Sequence, residues 1–499
     1  MSWQNAWKLA KSDYIKLVPI LALAFYMAFI PHLNYPYAVH IDEWVHIAHQ
    51  NALLRVGDIY YPDPFSGQGS GGGVIAQLEL GYHLPLAVFY QLSGVSWMDI
   101  ARYFPSITFV FTVLSVYIFA KKIGFGWEAA FFTCLIPTTV GIMGPALMVP
   151  VAMALAFVPL LLYLFFNHKT PWSYMVIIIF IAFMVILHAT SAILMIIILV
   201  PSLFFGLRGD TKHSLLVMLV LALPFIFTLP WTSSLILSEA RNLFVLKELP
   251  AYHDFLRIIK GYGYLPIIFC LTGVFILSLE GTWKKYALVM SLLALLAMLT
   301  LFYTLHYGIG LLYFRGLLFA MLMMSIVAGA GLMALRKLEL PGIIEGKPDR
   351  PLIIKAAGTL LCLIAIGAIL AVAIPNRQKE PFYHMIDKVD YEAFVWIRDN
   401  TDPSQQKAIL DPWKATAFTA ITEKYVYTRI HMAPTTKSTQ TYDFLKNGSA
   451  DTAFLRKNGV SIVYARVYEG NTNVEYNPIN PDLIQVKDNI YLLKNSGAR

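Results

Sequence analysis

The first 375 residues contain about eleven apolar runs, each long enough to cross the roughly 30 Å hydrocarbon core of a bilayer. Backbone polar groups in lipid must be hydrogen-bonded within the protein, so each run predicts a helix. Charged residues make up only 14% of the chain, which excludes an ordinary soluble protein. The expected spans are 15–33, 102–120, 127–146, 150–166, 172–188, 190–207, 214–233, 263–281, 286–304, 316–335 and 353–374. The predicted fold class is therefore a multispan α-helical membrane protein.

Basic residues fall in every second loop between these runs, which the positive-inside rule assigns to the cytoplasmic side. Lys121 and Lys122 follow the second run, for example, and Lys284 and Lys285 follow the eighth. We therefore expect an integral, multi-pass protein of the cell membrane, with a cytoplasmic N-terminus and a retained first span. The net charge of +8 is then explained by loops that face lipid headgroups, and it does not indicate a nucleic-acid partner.

The C-terminal part of the chain, residues 376–499, has no run of membrane length and is rich in charges and polar turns. Its local patterns predict helices around Trp396 and at 451–458, and strands at 408–410, 425–427, 460–464 and 489–493. We expect a small α/β domain here, external because the number of spans is odd. The membrane domain is then 1–375, and it includes a first external loop at 34–101.

An adjacent pair of acids, Asp42 and Glu43, lies at the start of this first loop. Carboxylates close to hydrocarbon are costly, so their presence at a membrane surface favours a functional role. The alternative is that the pair only caps the helix predicted for residues 43–55, because Asp is a common N-cap residue. His46 and His49 lie one turn apart on the same helix, and either metal ligation or a solvated helix face would explain them.

Four features together resemble the GT-C superfamily of membrane glycosyltransferases. A first span leads into a long external loop with an Asp-Glu pair near its start, and the loop continues as an aromatic-rich helix. An arginine, Arg315, stands at the mouth of a late span that contains small residues at 328–331. The external domain opens with the string at 396–401, which is similar to the start of the soluble domain in oligosaccharyltransferase-like members.

The resemblance implies an inverting hexosyl- or pentosyltransferase that uses a polyprenyl-phosphate-linked donor on the outer face of the membrane. The acceptor would be a lipid, a glycan or a protein. Such a reaction needs a carboxylate to take the proton of the acceptor hydroxyl and a cation to hold the departing phosphate. Asp42 is the preferred base, and Glu43 would support it. Arg315 is the preferred phosphate ligand, because a guanidinium matches a phosphate bidentately.

Other residues of the expected external loops complete the candidate site. His306, Arg241 and Lys247 are candidate substrate-binding residues. A divalent metal, Mg²⁺ or Mn²⁺, held by Asp42, Glu43 and His46 is a further possibility, since hard oxygen ligands suit these ions. The proposed chemistry does not require a metal.

One departure from the oligosaccharyltransferases is clear. Those enzymes carry a WWDYG motif after the opening helix and strand of the soluble domain, and this chain has Leu410-Asp411-Pro412-Trp413-Lys414-Ala415-Thr416 instead. The sequence therefore favours an acceptor other than an Asn-x-Ser/Thr peptide, and a donor with one phosphate rather than two.

Two other classes of protein remain as alternatives. A lipid or solute transporter, or a flippase, would be expected to carry ionisable residues at mid-membrane, and the central parts of the runs contain almost none. His188, between two runs, is interpreted as a packing residue. A catalytically inactive GT-C-like protein that assists polymer assembly would also fit the altered segment at 410–416.

Overall fold

The computed structural model describes residues 13–67, 79–167, 170–207, 211–242, 260–306, 310–338, 350–430, 434–469 and 472–494. The chain divides into two compact units. We call residues 1–34 and 102–381 the membrane unit, and residues 35–101 and 382–499 the polar unit. The first loop, which the sequence grouped with the membrane domain, is thus part of the same compact unit as the C-terminal residues.

Helices dominate the described residues. In chain order they are α1 Asp13–Phe29, α2 Ile41–Val56, α3 Leu80–Ser93, α4 Trp97–Lys121, α5 Gly126–Thr133, α6 Pro150–Ala154, α7 Phe157–Asn167, α8 Pro171–Leu207, α9 Thr211–Asn242, α10 Tyr264–Leu279, α11 Trp283–Leu305, α12 Gly310–Arg336, α13 Arg350–Gln378, α14 Lys388–Asn400, α15 Ala415–Thr422, α16 Thr436–Lys446 and α17 Thr452–Lys457.

Seven helical segments among the described residues are long and apolar enough to cross a membrane. They are Tyr14–His32, Trp97–Lys121, Pro150–Asn167, Pro171–Phe205, Trp283–Leu305, Leu312–Arg336 and Ala357–Gln378. Two shorter apolar helices, Leu215–Pro230 and Tyr264–Leu279, correspond to the spans predicted near 214–233 and 263–281. The fold is that of an integral, multi-pass membrane protein, as the sequence predicts, although eleven separate spans are not established.

The span predicted at 127–146 is wrong as a continuous helix. Helix α5 ends at Thr133, and the following residues are irregular up to the start of α6. Pro137 and Pro145 explain the break, because each lacks the N–H that a continuing helix would use, and Pro150 is the first residue of the next helix. Within a membrane, such backbone is tolerated only where it is buried in protein or lines a water-filled cavity.

A buried arginine from a distant helix provides hydrogen bonds to this irregular backbone. The guanidinium of Arg377, near the end of α13, donates to the carbonyl oxygens of Leu135 (3.2 Å), Ile136 (3.0 Å) and Thr138 (3.5 Å). Arg377 is only 7% exposed. The side chain therefore acts as a cap for the irregular segment that follows α5.

The spans predicted at 172–188 and 190–207 form one helix, α8, with an interruption at His188. The backbone of His188 is extended (φ −166°, ψ 96°), and its Nδ1 accepts a hydrogen bond from the backbone N–H of Ser191 at 3.2 Å. The imidazole thus caps the second half of the helix. This geometry agrees with the structural role that the sequence suggested for His188.

Helix α12 is buried along most of its length, and its small residues allow close packing. A Cβ added to Gly329 would lie 2.6 Å from the backbone nitrogen of Ala129 in α5, and one added to Gly331 would lie 2.2 Å from the carbonyl oxygen of Phe269 in α10. Neither position has room for a side chain. The small-residue span that the sequence singled out is therefore a helix–helix packing surface of the kind that membrane proteins favour.

The C-terminal part of the polar unit is built on a five-stranded sheet of order β2-β1-β3-β7-β6, beside a β4-β5 hairpin. The strands are β1 Lys407–Ile409, β2 Tyr425–Val426, β3 Ile462–Tyr464, β4 Arg466–Glu469, β5 Thr472–Glu475, β6 Leu483–Lys487 and β7 Ile490–Leu493. Strand β1 pairs in parallel with β2 and β3, and β7 pairs antiparallel with β3 and β6. The predicted α/β character is confirmed.

Candidate active site in the first polar loop

The first candidate residues lie where α2 begins. His40 is the N-cap residue, and its Nδ1 accepts from the backbone N–H of Asp42 at 3.1 Å. The Oε2 atom of Glu43, which is fully buried, accepts from the backbone N–H groups of His40 (2.9 Å) and Val39 (2.8 Å). His40 and Glu43 thus form a capping box, which satisfies N–H groups that a helix start leaves without partners. Asp42 is therefore not the N-cap residue, as the alternative interpretation of the acidic pair assumed.

Asp42 differs from its neighbour in exposure and in electrostatic setting. Its side chain is 15% exposed, and Oδ1 lies 3.9 Å from Nδ1 of His40. Burial lowers the pKa of Arg429, and the negative charges of Asp63 and Asp42 act in the opposite direction. Asp42 therefore lies within electrostatic reach of a largely buried guanidinium in the same unit.

Sequence reasoning missed Arg429. Its guanidinium carbon lies 3.7 Å from the ring centroid of Phe65, and the backbone N–H of Val426 donates to the carbonyl oxygen of Phe65 at 2.9 Å. These contacts join two segments that are more than 350 residues apart in the sequence. No local pattern marks the arginine, because its place beside the first loop results from tertiary packing.

A cluster of imidazoles follows on the next turns of α2. Nδ1 of His46 lies 3.0 Å from Nε2 of His83 and 3.7 Å from Oε2 of Glu79. The ring of His49 stacks on that of His83, with centroids 5.5 Å apart, and Nδ1 of His49 lies 3.2 Å from the hydroxyl of Tyr61. His83 and Glu79, from the start of α3, were not singled out from the sequence. The sequence signal for them was their spacing of four residues, which places both side chains on the same face of a helix.

Helix α2 is fixed firmly to the C-terminal part of the polar unit. Nδ2 of Asn51 donates to the carbonyl oxygen of Ala420 at the end of α15 (2.8 Å), and Oδ1 of Asn51 accepts from the indole N–H of Trp97 (2.6 Å). One turn later, Arg55 donates to the carbonyl oxygen of Glu423 at 3.1 Å. The side chains of α2 are therefore presented from a rigid scaffold and not from a loose loop, as positioned chemistry requires.

The remaining candidates belong to the membrane unit. Arg315 lies in the second turn of α12 and is half-buried, and Gly316 beside it leaves room for Met298 and Leu299 of α11. His306 is the exposed C-cap residue of α11, with a left-handed backbone (φ 55°).

Two further candidates are not described fully. Arg241 lies in α9, but its side chain falls outside the described part of the structure. Lys247 lies outside the described residues altogether.

Of the three predicted metal ligands, one belongs to a cluster that could hold an ion. Within the described residues, one group of His, Cys, Asp and Glu side chains has its ligand atoms close enough to hold an ion, with all of them within 4.8 Å of one another. That group is His46, Glu79 and His83. Of the predicted set, His46 belongs to it, whereas Asp42 and Glu43 do not. The residues that fit a metal are thus mainly nitrogen donors.

No protein-family model and no curated protein matches the sequence. Solved structures do match in fold. The oligosaccharyltransferase of Archaeoglobus fulgidus, in complex with zinc and sulfate, has 13% identity and a TM-score of 0.61 over 91% of this chain and 67% of that chain. The arabinofuranosyltransferase AftD from Mycobacteria has 16% identity and a TM-score of 0.59 over 97% of this chain and 40% of that chain.

ArnT from Cupriavidus metallidurans is similar along nearly its whole length. In the apo state it has 13% identity and a TM-score of 0.56 over 93% of each chain. Its complex with undecaprenyl phosphate has 13% identity and a TM-score of 0.52 over 91% of this chain and 93% of that chain. The similarity therefore includes both the membrane helices and the C-terminal sheet region, and the chain has the fold of the GT-C glycosyltransferases.

Proposed function

We propose that this protein is a GT-C glycosyltransferase that transfers one sugar from a polyprenyl-phosphate-linked donor to an acceptor on the external face of the membrane. The observation that carries this proposal is the position of Asp42, a partly exposed carboxylate in the first turn of a rigidly held helix. The GT-C fold supports it, because the neighbours include two named transferases and a protein solved with undecaprenyl phosphate.

Asp42 acts as the general base in the proposed reaction. Its carboxylate takes the proton of the acceptor hydroxyl while the hydroxyl oxygen bonds to the anomeric carbon of the sugar. The bond from that carbon to the phosphate oxygen breaks, and the polyprenyl phosphate leaves with the electron pair. A single displacement of this kind inverts the anomeric configuration. Glu43 holds the start of α2 through its backbone hydrogen bonds, so we assign it to positioning Asp42.

We propose guanidinium groups as the ligands of the phosphate. Arg315 retains the role suggested by the sequence, and its half-buried setting in α12 favours strong charge-assisted hydrogen bonds. Arg429 is added because it lies within electrostatic reach of Asp42. Its Nη1 is buried and has no hydrogen-bond partner among the described residues. His306, Arg241 and Lys247 remain proposed substrate contacts.

The segment at 410–416 supports an acceptor other than a sequon peptide. Asp411 is fully buried and accepts from the hydroxyl of Tyr442 (2.9 Å) and the backbone N–H of Tyr468 (2.8 Å). Lys414 pairs with Asp390 in the interior. The charged groups of this segment therefore serve the fold of the polar unit. We propose a lipid or glycan hydroxyl as the acceptor, and a monophosphate donor.

The proposed orientation has a cytoplasmic N-terminus and an external polar unit, as the basic loops suggest. Single cysteines at Asn400 and at Lys284 test it, because an impermeant thiol reagent should label the first from outside and the second from inside. The natural cysteines at 134, 270 and 362 are buried, which keeps the background low. Labelling of both positions from the cytoplasm would refute the orientation and the placement of the active site.

The catalytic proposal is tested with Asp42→Asn, which keeps size and polarity but removes the base. Purified protein would be assayed with radiolabelled polyprenyl-monophosphate hexose and pentose donors. Loss of a catalytic base typically costs about 10²- to 10⁴-fold in rate. Asp63→Asn is the matched control, because Asp63 also acts on Arg429 but is assigned no proton transfer. Near-normal turnover of Asp42→Asn would refute the assignment of Asp42 as base.

A further inference from the structure

We propose that His46, Glu79 and His83 form a site for a borderline-soft divalent metal of the zinc class, which joins α2 to α3. The site is separate from the proposed sugar transfer and does not depend on it. Each residue contributes one ligand atom: Nδ1 of His46, an oxygen of Glu79 and Nε2 of His83. We expect a water molecule in the fourth position.

The spacing of the donor atoms matches tetrahedral coordination. Zinc binds imidazole nitrogen at about 2.0–2.1 Å, so two ligand atoms of a regular tetrahedron are roughly 3.4 Å apart. The separation from His46 to His83 is 3.0 Å, and that from His46 to Glu79 is 3.7 Å. A small rotation of the side chains would bring all three atoms to an ion without movement of the helices.

The backbone that carries the donors is already ordered. Glu79 is the N-cap residue of α3, and its carbonyl oxygen accepts from the N–H groups of Tyr82 (2.8 Å) and His83 (3.0 Å). Glu79 and His83 therefore lie one turn apart on one side of the helix, as chelating pairs on helices do. His46 lies in the second turn of α2, which is fixed in turn by its cap and its contacts to α15. Preformed donors of this kind favour binding.

The surroundings favour an ion in a mostly dry site. His83 is fully buried and His46 is 6% exposed, and the ring of Tyr82 packs edge-on against that of His46 with centroids 5.2 Å apart. The ring of His49 covers His83 from another direction. The side chain of Glu79 is 18% exposed, which provides a path for water and for the ion. Its carboxylate also offsets part of the charge of a divalent cation.

The donor set decides the class of metal. Two imidazole nitrogens and one carboxylate oxygen suit Zn²⁺ and Co²⁺, whereas Mg²⁺ and Mn²⁺ prefer sites made mainly of oxygen ligands. This differs from the ion expected for Asp42 and Glu43 on sequence grounds. Without a metal, the same distances would describe a His46–His83 hydrogen bond with Glu79 beside it, and the experiment must separate these two states.

Metal content is the first measurement. Full-length protein is purified with an affinity tag that contains no histidine, incubated with Zn²⁺, desalted and analysed by mass spectrometry of the elements. We expect close to one zinc per chain for the wild type, and at least a 10- to 100-fold weaker affinity for His83→Ala and Glu79→Gln. His384→Ala is the control, because His384 stacks on Tyr35 in the same unit but lies outside the cluster.

Cobalt gives a readout of geometry. Replacement of zinc by Co²⁺ should produce the intense visible absorption bands of tetrahedral coordination in wild type and His384→Ala, and these bands should be lost in His83→Ala. If His83→Ala fails to fold by size-exclusion chromatography, Glu79→Gln, which keeps the shape of the side chain, takes its place. Absence of bound zinc and of cobalt bands in the wild type, or equal metal in all variants, would overturn the site and leave the hydrogen bond.

Discussion

Two groups of charged side chains in the polar unit differ in their access to water. Asp390 and Lys414 form a fully buried pair: Lys414 Nζ lies 2.8 Å from Asp390 Oδ1, both side chains are 0% exposed, and the hydroxyl of Tyr464 donates to the same carboxylate at 2.6 Å. At the start of α2 and α3, Asp42 is 15% exposed and Glu79 is 18% exposed. The first group uses its charges within the fold, whereas the second can meet a ligand from solution.

Exposure to water therefore distinguishes charges that stabilise the fold from charges that are available for function. A buried ion pair gains little net stability over an apolar pair, but the loss of one partner strands the other charge in a medium of low dielectric constant. A partly exposed carboxylate has no such penalty and is available to exchange a proton or bind a cation. Stability should therefore respond to changes in the first group, and activity or metal binding to changes in the second.

The largest expected effect on stability comes from Lys414→Ala, which would remove the fully buried cation from Asp390 and leave it only Arg466, whose Nη1 lies 3.0 Å from Oδ1. Removal of one member of a buried pair costs up to about 3–5 kcal/mol where no other partner remains, so Arg466 should keep the loss toward the lower end. Thermal unfolding in detergent would measure the loss. Lys388→Ala is the matched control, because its i,i+4 pair with Glu392 is exposed and such pairs are worth about 0.3–0.5 kcal/mol. Equal free energies of unfolding for the two variants would show that loss of the buried partner carries no extra cost.

A smaller effect is expected from Arg466→Lys. Arg466 donates bidentately to Asp387, with Nη1 to Oδ1 at 2.6 Å and Nη2 to Oδ2 at 2.7 Å. Lysine keeps the charge but loses the planar fork, so about 1.5–3 kcal/mol should be lost, the value of a hydrogen bond to a charged group. The free energy of unfolding in denaturant would measure this, and an unchanged value would mean that charge alone suffices.

The same carboxylate predicts the response to acid. Burial by itself would raise the pKa of Asp387, but the hydrogen bonds from Arg466 outweigh it and lower that pKa below its ordinary value. A carboxyl group whose pKa is lowered in the folded state adds stability above its unfolded pKa, and this is lost as the pH falls through the folded pKa. Melting temperatures below pH 4 should therefore drop more steeply in wild type than in Arg466→Lys. Parallel curves would exclude this contribution.

The smallest effect on stability is expected at the candidate base. Asp42 lies in the first turn of α2, where a negative charge interacts with the helix dipole for about 0.3–1 kcal/mol. The free energy of unfolding of Asp42→Asn should therefore lie within about 1 kcal/mol of the wild-type value. The rate of sugar transfer should nevertheless fall by orders of magnitude. A large loss of stability would show that Asp42 stabilises the fold, and the proposed difference between the two groups would then be wrong.

The sequence predicted what depends on local or periodic signals. The helix after the Asp-Glu pair and the strands near 408, 425, 462 and 490 follow from hydrophobic spacing and turn residues. The small residues at 328–331 were noted in the sequence, but their close packing appears only in the structure. Sequence reasoning failed at 127–146, where high hydropathy concealed the effect of two prolines. Apolar composition predicts burial in the membrane, but backbone hydrogen bonding decides whether a helix continues.

The candidate site was only partly predictable. Asp42, Glu43 and His46 were singled out because they follow the first span. The capping box formed by Glu43, which distinguishes the two acids, is revealed only by the backbone geometry. Glu79 and His83 are separated from His46 by more than thirty residues, and Arg429 by several hundred. Such encounters result from tertiary packing, which no local pattern encodes.

The arginine that caps the irregular segment after α5 has a consequence for biosynthesis. Arg377 is separated from Thr138 by 239 residues, so the ribosome needs roughly 12–48 s to reach it at about 5–20 residues per second. During that time the carbonyl groups of Leu135, Ile136 and Thr138 must keep other partners, such as water or the insertion machinery. These three carbonyl groups therefore receive their hydrogen bonds from Arg377 only after α13 has been synthesised. Completion of this hydrogen bonding is a late event, timed by the arrival of a single side chain.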